Sequence, residues 1–150
     1  MRGPLAVMLV CMPAVELTDH ELPSVDELVD LYSSVSWTAY TRDPALLHAA
    51  VARSLRVVCA RQDGRLVGMA RLVGDGLTIV YLQDILVAPS HQRHGLGRQL
   101  FHRVLEPFSG VRQKVVVTDD EPGQRAFYEA LGFTEIRDLK SPIRAFVQFN

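Results

Sequence analysis

The sequence predicts an α/β (α+β) fold in which helices cover the faces of a mixed sheet, and three observations lead to this prediction. The chain has 150 residues, the usual size of one compact domain, and 48% of them are hydrophobic, enough to build a core. Apolar residues recur at helical intervals in some segments and at strand intervals in others. The segments follow the order β-α-α-β-β-β-α-β-α-β-β, which is typical of a mixed sheet with packed helices.

The first part of the chain contains one predicted strand and two predicted helices. Ala14–Leu17 is short and apolar and is predicted as the first strand. Ser24 and Glu27 have the spacing of a capping box, which predicts the start of a helix. Residues 36–41 interrupt the helical pattern and are predicted as a loop. Asp43-Pro44 then provides an N-cap followed by proline at the first helical position, so a second helix is expected there.

Three strands are predicted in the middle of the chain. Arg56–Arg61 and Arg65–Val73 flank Asp63-Gly64, which is a strong signal for a hairpin. Leu77–Val87 is long and rich in β-branched, aromatic and other apolar residues. This composition predicts a central strand that is covered on both faces.

The last third is predicted to alternate between helices and short strands. Helices are expected over about Gly95–Phe108 and Gln124–Leu131, with a buried strand at Lys114–Thr118 between them. Glu135–Asp138 and Arg144–Phe149 are predicted as closing strands. Because an edge strand invites pairing, the last of these strands suggests a homodimer as a further hypothesis. No repeat, low-complexity tract or linker interrupts the sequence, so residues 1–150 are assigned to one domain.

Composition excludes several classes of function. The 16 basic and 17 acidic residues give a net charge of −1, which argues against bulk attraction to nucleic acid or to anionic membranes. No stretch reaches the roughly 18 apolar residues of a membrane span. The two cysteines, Cys11 and Cys59, are too few for a disulfide framework or a zinc site, and we expect buried thiols in a cytoplasmic protein. Residues 1–12 are interpreted as a poorly ordered or mis-started N-terminus.

Residues 84–98, DILVAPSHQRHGLGR, carry the most informative pattern. A buried strand leads into a loop, and the loop enters a helix whose first residues include Gly95 and Gly97. The first amides of a helix lack intrahelical partners and lie at the positive end of its dipole, so they bind phosphate well. The GxxxxGK[ST] pattern of nucleotide-binding P-loops is absent, and so is the third glycine of the dinucleotide-binding GxGxxG pattern.

The loop resembles the coenzyme A loop of the GCN5-related N-acetyltransferase (GNAT) superfamily. Gln92-Arg93-His94-Gly95-Leu96-Gly97 follows Val87-x-Pro89, and the family pattern is [QR]-x-x-G-x-[GA] after a strand that ends V-x-P. Residues 125–133, RAFYEALGF, resemble the second family signature, FYxxLGF. The resemblance points to a small bacterial-type, single-domain member. It implies a mixed, mostly antiparallel central sheet with splayed parallel strands and helices on both faces.

The resemblance also implies acetyl-CoA as co-substrate and a set of residues that bind it. The backbone of Ile85, Leu86 and Val87 would hydrogen-bond the pantetheine arm. The pyrophosphate would lie on the loop amides, which belong to Gln92, Arg93, His94, Gly95, Leu96, Gly97 and Arg98. No metal is expected, because no carboxylate or thiol near His91 and His94 in the sequence completes a ligand set.

The catalytic residues follow from the same resemblance. Tyr128, in the FYxxLGF-like helix, would act as the acid that protonates the departing thiolate, and the alternative is simple core packing. Asp84 is a candidate base, with a water molecule as the other candidate, and it could equally be a buried structural carboxylate. The amide of Leu86 or Val87 is the expected donor to the tetrahedral oxyanion.

The acceptor is expected to be a small primary amine. Trp37 and Tyr40, in the loop between the first two helices, suggest an aromatic or flat apolar acceptor, although Trp37 could instead cap the core. Tyr81 and Gln83 are further candidates for the lining of the acceptor pocket. The alternatives are a protein N-terminus or lysine as acceptor, and a non-catalytic protein that only senses coenzyme A.

Overall fold

The computed structural model describes residues 13–150, and the N-terminal stretch 1–12 with Cys11 lies outside the described residues. The strands are β1 (Glu16–Thr18), β2 (Arg56–Gln62), β3 (Arg65–Gly74), β4 (Ile79–Val87) and β5 (Gln113–Val116). The α-helices are α1 (Val25–Ser34), α2 (Thr38–Thr41), α3 (Pro44–Ala52), α4 (Leu96–Leu105) and α5 (Pro122–Ala130). Short 3-10 turns occupy Pro89–His91, Glu106–Phe108 and Ile136–Asp138.

The described chain divides into two compact units. The first ends at Val115 and holds nearly all of the sheet, and the second comprises Val116–Asn150. The assignment of all 150 residues to one domain stays a prediction. None of the helices within residues 13–150 has the length and apolar character needed to cross a membrane.

The five strands form one sheet in the order β1-β2-β3-β4-β5. The first four are antiparallel neighbours, and β4 and β5 run parallel. Asp63 and Gly64 both have positive φ, which is the conformation of the tight turn that joins β2 and β3. The predicted mixed, mostly antiparallel sheet is therefore confirmed.

Helices cover both faces of the sheet in the first unit. One core combines Leu28 and Leu31 of α1 and Leu47 and Val51 of α3 with sheet residues that include Met69. Gly68 faces the opposite side, where a Cβ atom would come within 3.0 Å of Leu100 of α4. Successive residues of β3 thus pack against different helices, as the predicted central sheet requires.

The helix starts follow the predicted caps. The Ser24 hydroxyl accepts a hydrogen bond from the Glu27 amide at 3.2 Å, and the Glu27 carboxylate accepts one from the Ser24 amide at 2.8 Å. Asp43 accepts from the Leu46 amide at 3.0 Å at the start of α3. The prediction of a loop over residues 36–41 is wrong in part, because α2 forms a single helical turn there. Cys59 is buried and free, as predicted.

The two predicted closing strands are wrong. Glu135 and Asp138 both accept hydrogen bonds from the guanidinium of Arg125, at 2.5 and 2.7 Å. Residues three apart lie on the same side of a 3-10 turn, so this shared cation favours the turn at Ile136–Asp138 over a strand. Arg144–Phe149 has no regular secondary structure, because no described strand pairs with it.

Candidate functional site

The phosphate loop, residues 88–95, connects β4 to α4. It begins with a 3-10 turn in which the His91 amide donates to the Ala88 carbonyl at 2.8 Å. The Gln92 side-chain amide donates to the carbonyl of Val87 at 2.9 Å, and a ring nitrogen of His91 lies 2.7 Å from the Gln62 side-chain oxygen. These contacts fix the first half of the loop against β2 and the end of β4. The side chains of Arg93 and His94, further along the loop, are exposed.

Gly95 converts the loop into the N-terminus of α4. Its φ of 81° lies in the left-handed region that favours glycine, and a Cβ atom there would meet nothing within 4 Å. The first intrahelical bond runs from the Gln99 amide to the Gly95 carbonyl at 3.1 Å. The amides of Leu96, Gly97 and Arg98 precede that bond and lie at the positive end of the helix dipole. A helix start of this kind suits an anion, and the space that a Gly95 Cβ atom would occupy is open.

Among the strands of residues 13–150, none lies along one edge of the carboxyl-terminal half of β4. Its other edge pairs with β3, where Val87 lies opposite Gly68. β5 begins beside Thr78, since the Gln113 amide donates to the Thr78 carbonyl at 3.2 Å, and β5 has only four residues. In parallel pairing it ends near Leu82, and no strand of the described chain continues beside Gln83–Val87. The open edge leads directly into the phosphate loop.

A β-bulge shapes β4 just before this open edge. Arg71 of β3 lies opposite Asp84, but the next pair is Leu72 with Leu82, so Gln83 has no partner in the register. Bulges turn a side chain away from its regular direction and are frequent beside functional sites. Here Gln83 reaches the Tyr40 hydroxyl, to which its amide donates at 3.3 Å.

Behind the bulge, Tyr32, Arg71 and Asp84 form a buried cluster. The Tyr32 hydroxyl donates to Asp84 Oδ2 at 2.6 Å, and the Arg71 guanidinium donates to the same oxygen and to the Ser54 hydroxyl. The side chains of Arg71 and Asp84 are 6% and 0% exposed. A buried charge is tolerated when it is paired and hydrogen-bonded, so each of the three groups depends on the others.

The cluster fixes the protonation of Tyr32 and Arg71. Burial and the Asp84 charge raise the pKa of Tyr32 well above its ordinary value, so its phenol remains a donor. Burial by itself would lower the pKa of Arg71, but the Asp84 charge and hydrogen bond outweigh it and raise that pKa. Asp84 Oδ1 is buried and has no hydrogen-bond partner among the described residues. The burial and the two charged or polar partners of Asp84 fit its structural interpretation, and its role as a base stays a prediction.

Three aromatic rings, those of Tyr32, Trp37 and Tyr40, pack together above the cluster. Their centroids are 5.4 to 5.9 Å apart. Trp37 is half-buried and packs on the core. This position fits the interpretation that Trp37 caps the core, which was the alternative to a role in the acceptor pocket. Tyr40 is 37% exposed and presents its ring to solvent beside Gln83. Burial and the Asp84 charge raise the pKa of Tyr40.

Tyr128 belongs to the second unit, where it lies on α5 and is 7% exposed. Its ring contacts Phe127 and Phe133 with centroid distances of 5.1 and 5.9 Å. Gly132 has a φ of 91° just after the helix, as the predicted C-terminal glycine requires. The role of Tyr128 as an acid stays a prediction.

The structure brings most of the predicted site of the first unit together along β4. Trp37, Tyr40, Gln83 and Asp84 are joined through Tyr32, and the half-buried Tyr81 lies opposite Val73 on the same strand. Sequence reasoning missed Tyr32 and Arg71, because Tyr32 fits the apolar stripe of α1 and Arg71 stands in a strand. Within residues 13–150, no group of three His, Cys, Asp or Glu side chains is placed to hold a metal ion.

Comparison with known proteins shows which family has this combination of features. The family model described as an acetyltransferase (GNAT) domain matches residues 53–135, which include β4, the phosphate loop and α5. The chain belongs to the GNAT family. Among solved structures, this GNAT chain is similar to a GNAT family acetyltransferase from Streptococcus pneumoniae TIGR4. The TM-score is 0.77 at 27% identity, over 91% of this chain and 100% of the other.

Two curated relatives show how far the likeness extends in sequence. An uncharacterized N-acetyltransferase, ycf52-like, from Prochlorococcus marinus is 32% identical over 72% of this GNAT chain and 61% of the relative. The chloroplastic serotonin N-acetyltransferase 2 of Oryza sativa subsp. japonica is 37% identical over 47% of this chain and 35% of the relative. The matched stretches thus span less than two thirds of both relatives.

Proposed function

We propose that this GNAT chain is an N-acetyltransferase that moves the acetyl group of acetyl-CoA directly to a primary amine. The observation that carries the proposal is the continuity between the open edge of β4 and the phosphate loop. A strand edge offers backbone groups in a row, which suits the amides of a pantetheine arm. A helix start next to it suits a pyrophosphate. Coenzyme A carries both groups in one molecule.

The acceptor we propose is a small amine with an aromatic or flat apolar body. Tyr40 offers an exposed ring face, and Trp37 and Tyr32 fix the position of that ring from behind. Stacked or edge-on aromatic contacts contribute about 0.5–1.5 kcal/mol beyond the burial of area. Gln83, aimed at Tyr40 by the bulge, adds a polar group at the same place. The likeness to a serotonin N-acetyltransferase supports this acceptor class.

The chemistry requires a proton acceptor, an oxyanion donor and an acid. We propose that water removes the amine proton, because Asp84 is buried behind Tyr32 and Arg71. The amide of Val87, on the open edge of β4, donates to the tetrahedral oxyanion. The amide of Leu86, the other candidate, faces β3, because amides alternate along a strand and that of Ala88 donates to the Val67 carbonyl of β3. Tyr128 protonates the thiolate, since a phenol with a pKa of about 10 carries its proton at neutral pH.

The first experiment is a thiol-release assay with acetyl-CoA and a panel of amines. The panel contains arylalkylamines, polyamines, aminoglycosides, amino acids and lysine peptides. We expect turnover with arylalkylamines, and turnover with lysine peptides alone would instead identify a protein acetyltransferase. Tight acetyl-CoA binding by calorimetry without turnover of any amine would favour a coenzyme A sensor. Absence of acetyl-CoA binding would refute the assignment of the phosphate loop.

Variants separate the roles of the side chains in the same assay. Tyr40→Ala should raise the KM of an aromatic amine about tenfold, the equivalent of one aromatic contact, without changing acetyl-CoA binding. Tyr40→Phe keeps the ring and should change KM much less. Leu46→Ala is the matched control, because Leu46 is a 66% exposed apolar residue on α3.

Two further variants test the proton transfers. Tyr128→Phe should lower kcat by about 100-fold if the phenol is the acid, and an unchanged kcat would remove Tyr128 from the mechanism. Asp84→Asn should lower stability while the pH profile of kcat/KM keeps its shape. Loss of the acidic limb of that profile, at unchanged fold, would instead identify Asp84 as the base, because a catalytic base must lose its proton before it can act.

A further inference from the structure

His91 ties the middle of the phosphate loop to a strand that is distant from the loop in sequence. It is the only residue in the range 89–95 that is not exposed. Its ring Nε2 atom lies 2.7 Å from the Oε1 atom of Gln62, the last residue of β2. In the sheet, β3 lies between β2 and β4, so the loop leaves β4 and reaches past β3 to this contact. A single side chain thus holds the loop two strands away from its origin.

The partners of the Gln62 side chain determine which ring nitrogen of His91 carries the proton. The Nε2 atom of Gln62 donates to the Pro13 carbonyl at 2.7 Å, and a carbonyl can only accept. The Oε1 atom of Gln62 therefore faces His91, and because it also can only accept, His91 must donate from its own Nε2 atom. The Nδ1 atom of the ring lies 2.8 Å from the Ser90 hydroxyl, which donates to it when the ring is neutral. One tautomer satisfies all of these contacts.

We propose that His91, protonated at Nε2 and held by Gln62, is a positioning residue that keeps the phosphate loop in the conformation that binds coenzyme A. This inference rests on the proposed function. The groups proposed to bind the pyrophosphate are backbone amides at the start of α4, so affinity depends on where the loop places that helix start. A loop that is already held loses less freedom on binding. A loop that is correctly placed only part of the time binds more weakly in proportion.

Calorimetry with coenzyme A tests the contribution of the ring donor. His91→Leu removes this donor and should raise the dissociation constant of coenzyme A about three- to tenfold, the equivalent of one lost hydrogen bond. His91→Gln places a side-chain N–H near the position of the ring Nε2 atom and should restore most of the affinity. In the thiol-release assay, His91→Leu should raise the KM of acetyl-CoA while kcat and the KM of the amine stay unchanged. A loss of folded protein would lower kcat instead.

A double-mutant cycle assigns the effect to the contact between the two side chains. Gln62→Leu should weaken coenzyme A binding as much as His91→Leu does, and the double variant should bind no more weakly than either single variant. Nitrogen NMR spectra of the histidine rings should show His91 protonated at Nε2, with its signals assigned by their loss in His91→Leu. His20→Leu is the matched control, because the His20 side chain is 77% exposed and lies outside the loop. It should bind coenzyme A as the native chain does.

The outcomes separate this inference from the proposed function. A native chain without affinity for coenzyme A would refute the proposed function, and the role of His91 with it. A native chain that binds coenzyme A, while His91→Leu and Gln62→Leu bind it equally well, would overturn only the role of His91. A ring protonated at Nδ1 in place of Nε2 would overturn that role too. Circular dichroism and cooperative thermal unfolding establish that each variant is folded.

Discussion

The phosphate loop and the buried cluster are neighbours on β4, but they are built in opposite ways. The loop presents backbone amides, and the side chains of Arg93, His94 and Arg98 around them are exposed. The cluster consists of side chains from α1, β3 and β4 that satisfy one another almost without solvent. One region therefore depends on backbone conformation, and the other depends on the presence of every partner.

This difference predicts which substitutions each region tolerates. At an exposed loop position such as His94, a new side chain that leaves φ and ψ unchanged should be tolerated, because the proposed binding groups are backbone amides. In the cluster, removal of one group leaves a buried charge or a buried polar atom unpaired, and that costs more than the net value of the interaction. Joint replacement of the charged pair by apolar residues of similar size is much less costly.

The largest effect is expected in the buried cluster. Arg71→Met leaves the Asp84 carboxylate buried without its cation and should lower the free energy of unfolding by about 3–5 kcal/mol. Urea denaturation followed by circular dichroism measures this change. Coenzyme A binding per folded molecule should stay the same, since the phosphate loop does not use Arg71.

Two further variants test whether the cost comes from the unpaired charge. Arg65→Met removes an arginine from an exposed position of the same strand and should change stability by less than about 0.5 kcal/mol. The double variant Arg71→Met, Asp84→Leu removes both charges and should recover much of the lost stability. If the double variant is as unstable as Arg71→Met, the ion pair is not the reason for the loss.

An intermediate effect is expected at Gly95. Gly95→Ala forces a side chain into the left-handed region, which costs about 1–2 kcal/mol, and the helix start relaxes away from its binding geometry. The dissociation constant of coenzyme A, measured by calorimetry, should rise about tenfold.

Gly64→Ala is the matched control for this effect. Gly64 also has positive φ and open space around its α-carbon, but it lies in the turn between β2 and β3. The strain should lower its stability by a similar amount and leave coenzyme A binding unchanged. Equal loss of binding in both variants would show that general destabilisation, and not the loop, accounts for the result.

The same contrast explains what the sequence could predict. The helix start at Gly95 could be predicted, because a strand followed by closely spaced glycines is a local sequence pattern. Its role in binding phosphate stays a prediction. The hairpin at Asp63-Gly64 and the helix caps at Ser24 and Asp43 could also be predicted from local sequence patterns. These features depend on residues within a few positions of one another.

The buried cluster of Tyr32, Arg71 and Asp84 could not be predicted from the sequence, because its members are distant from one another along the chain. Tyr32 and Asp84 are 52 positions apart, and Arg71 is 13 from Asp84. A tyrosine in an apolar stripe and an arginine in a strand have ordinary local explanations. The strand predicted at Glu135–Asp138 failed likewise, because Arg125 contacts both of its acidic residues. Contacts across the chain decided these elements, and no local pattern reports them.

The smallest effect concerns the ion pair that anchors α1, the helix that carries Tyr32. Arg61 pairs with Glu27, and this hydrogen bond, followed by those at Ser24, lowers the Glu27 pKa despite partial burial. The stability from this pair is present above the unfolded pKa of about 4.3 and is lost as pH falls through the folded pKa. Glu27→Gln keeps the capping box and should cost about 0.5–1 kcal/mol at pH 7. That difference should shrink as pH falls below about 4 in urea titrations. A difference that stays constant as the pH falls would contradict the role of the charge.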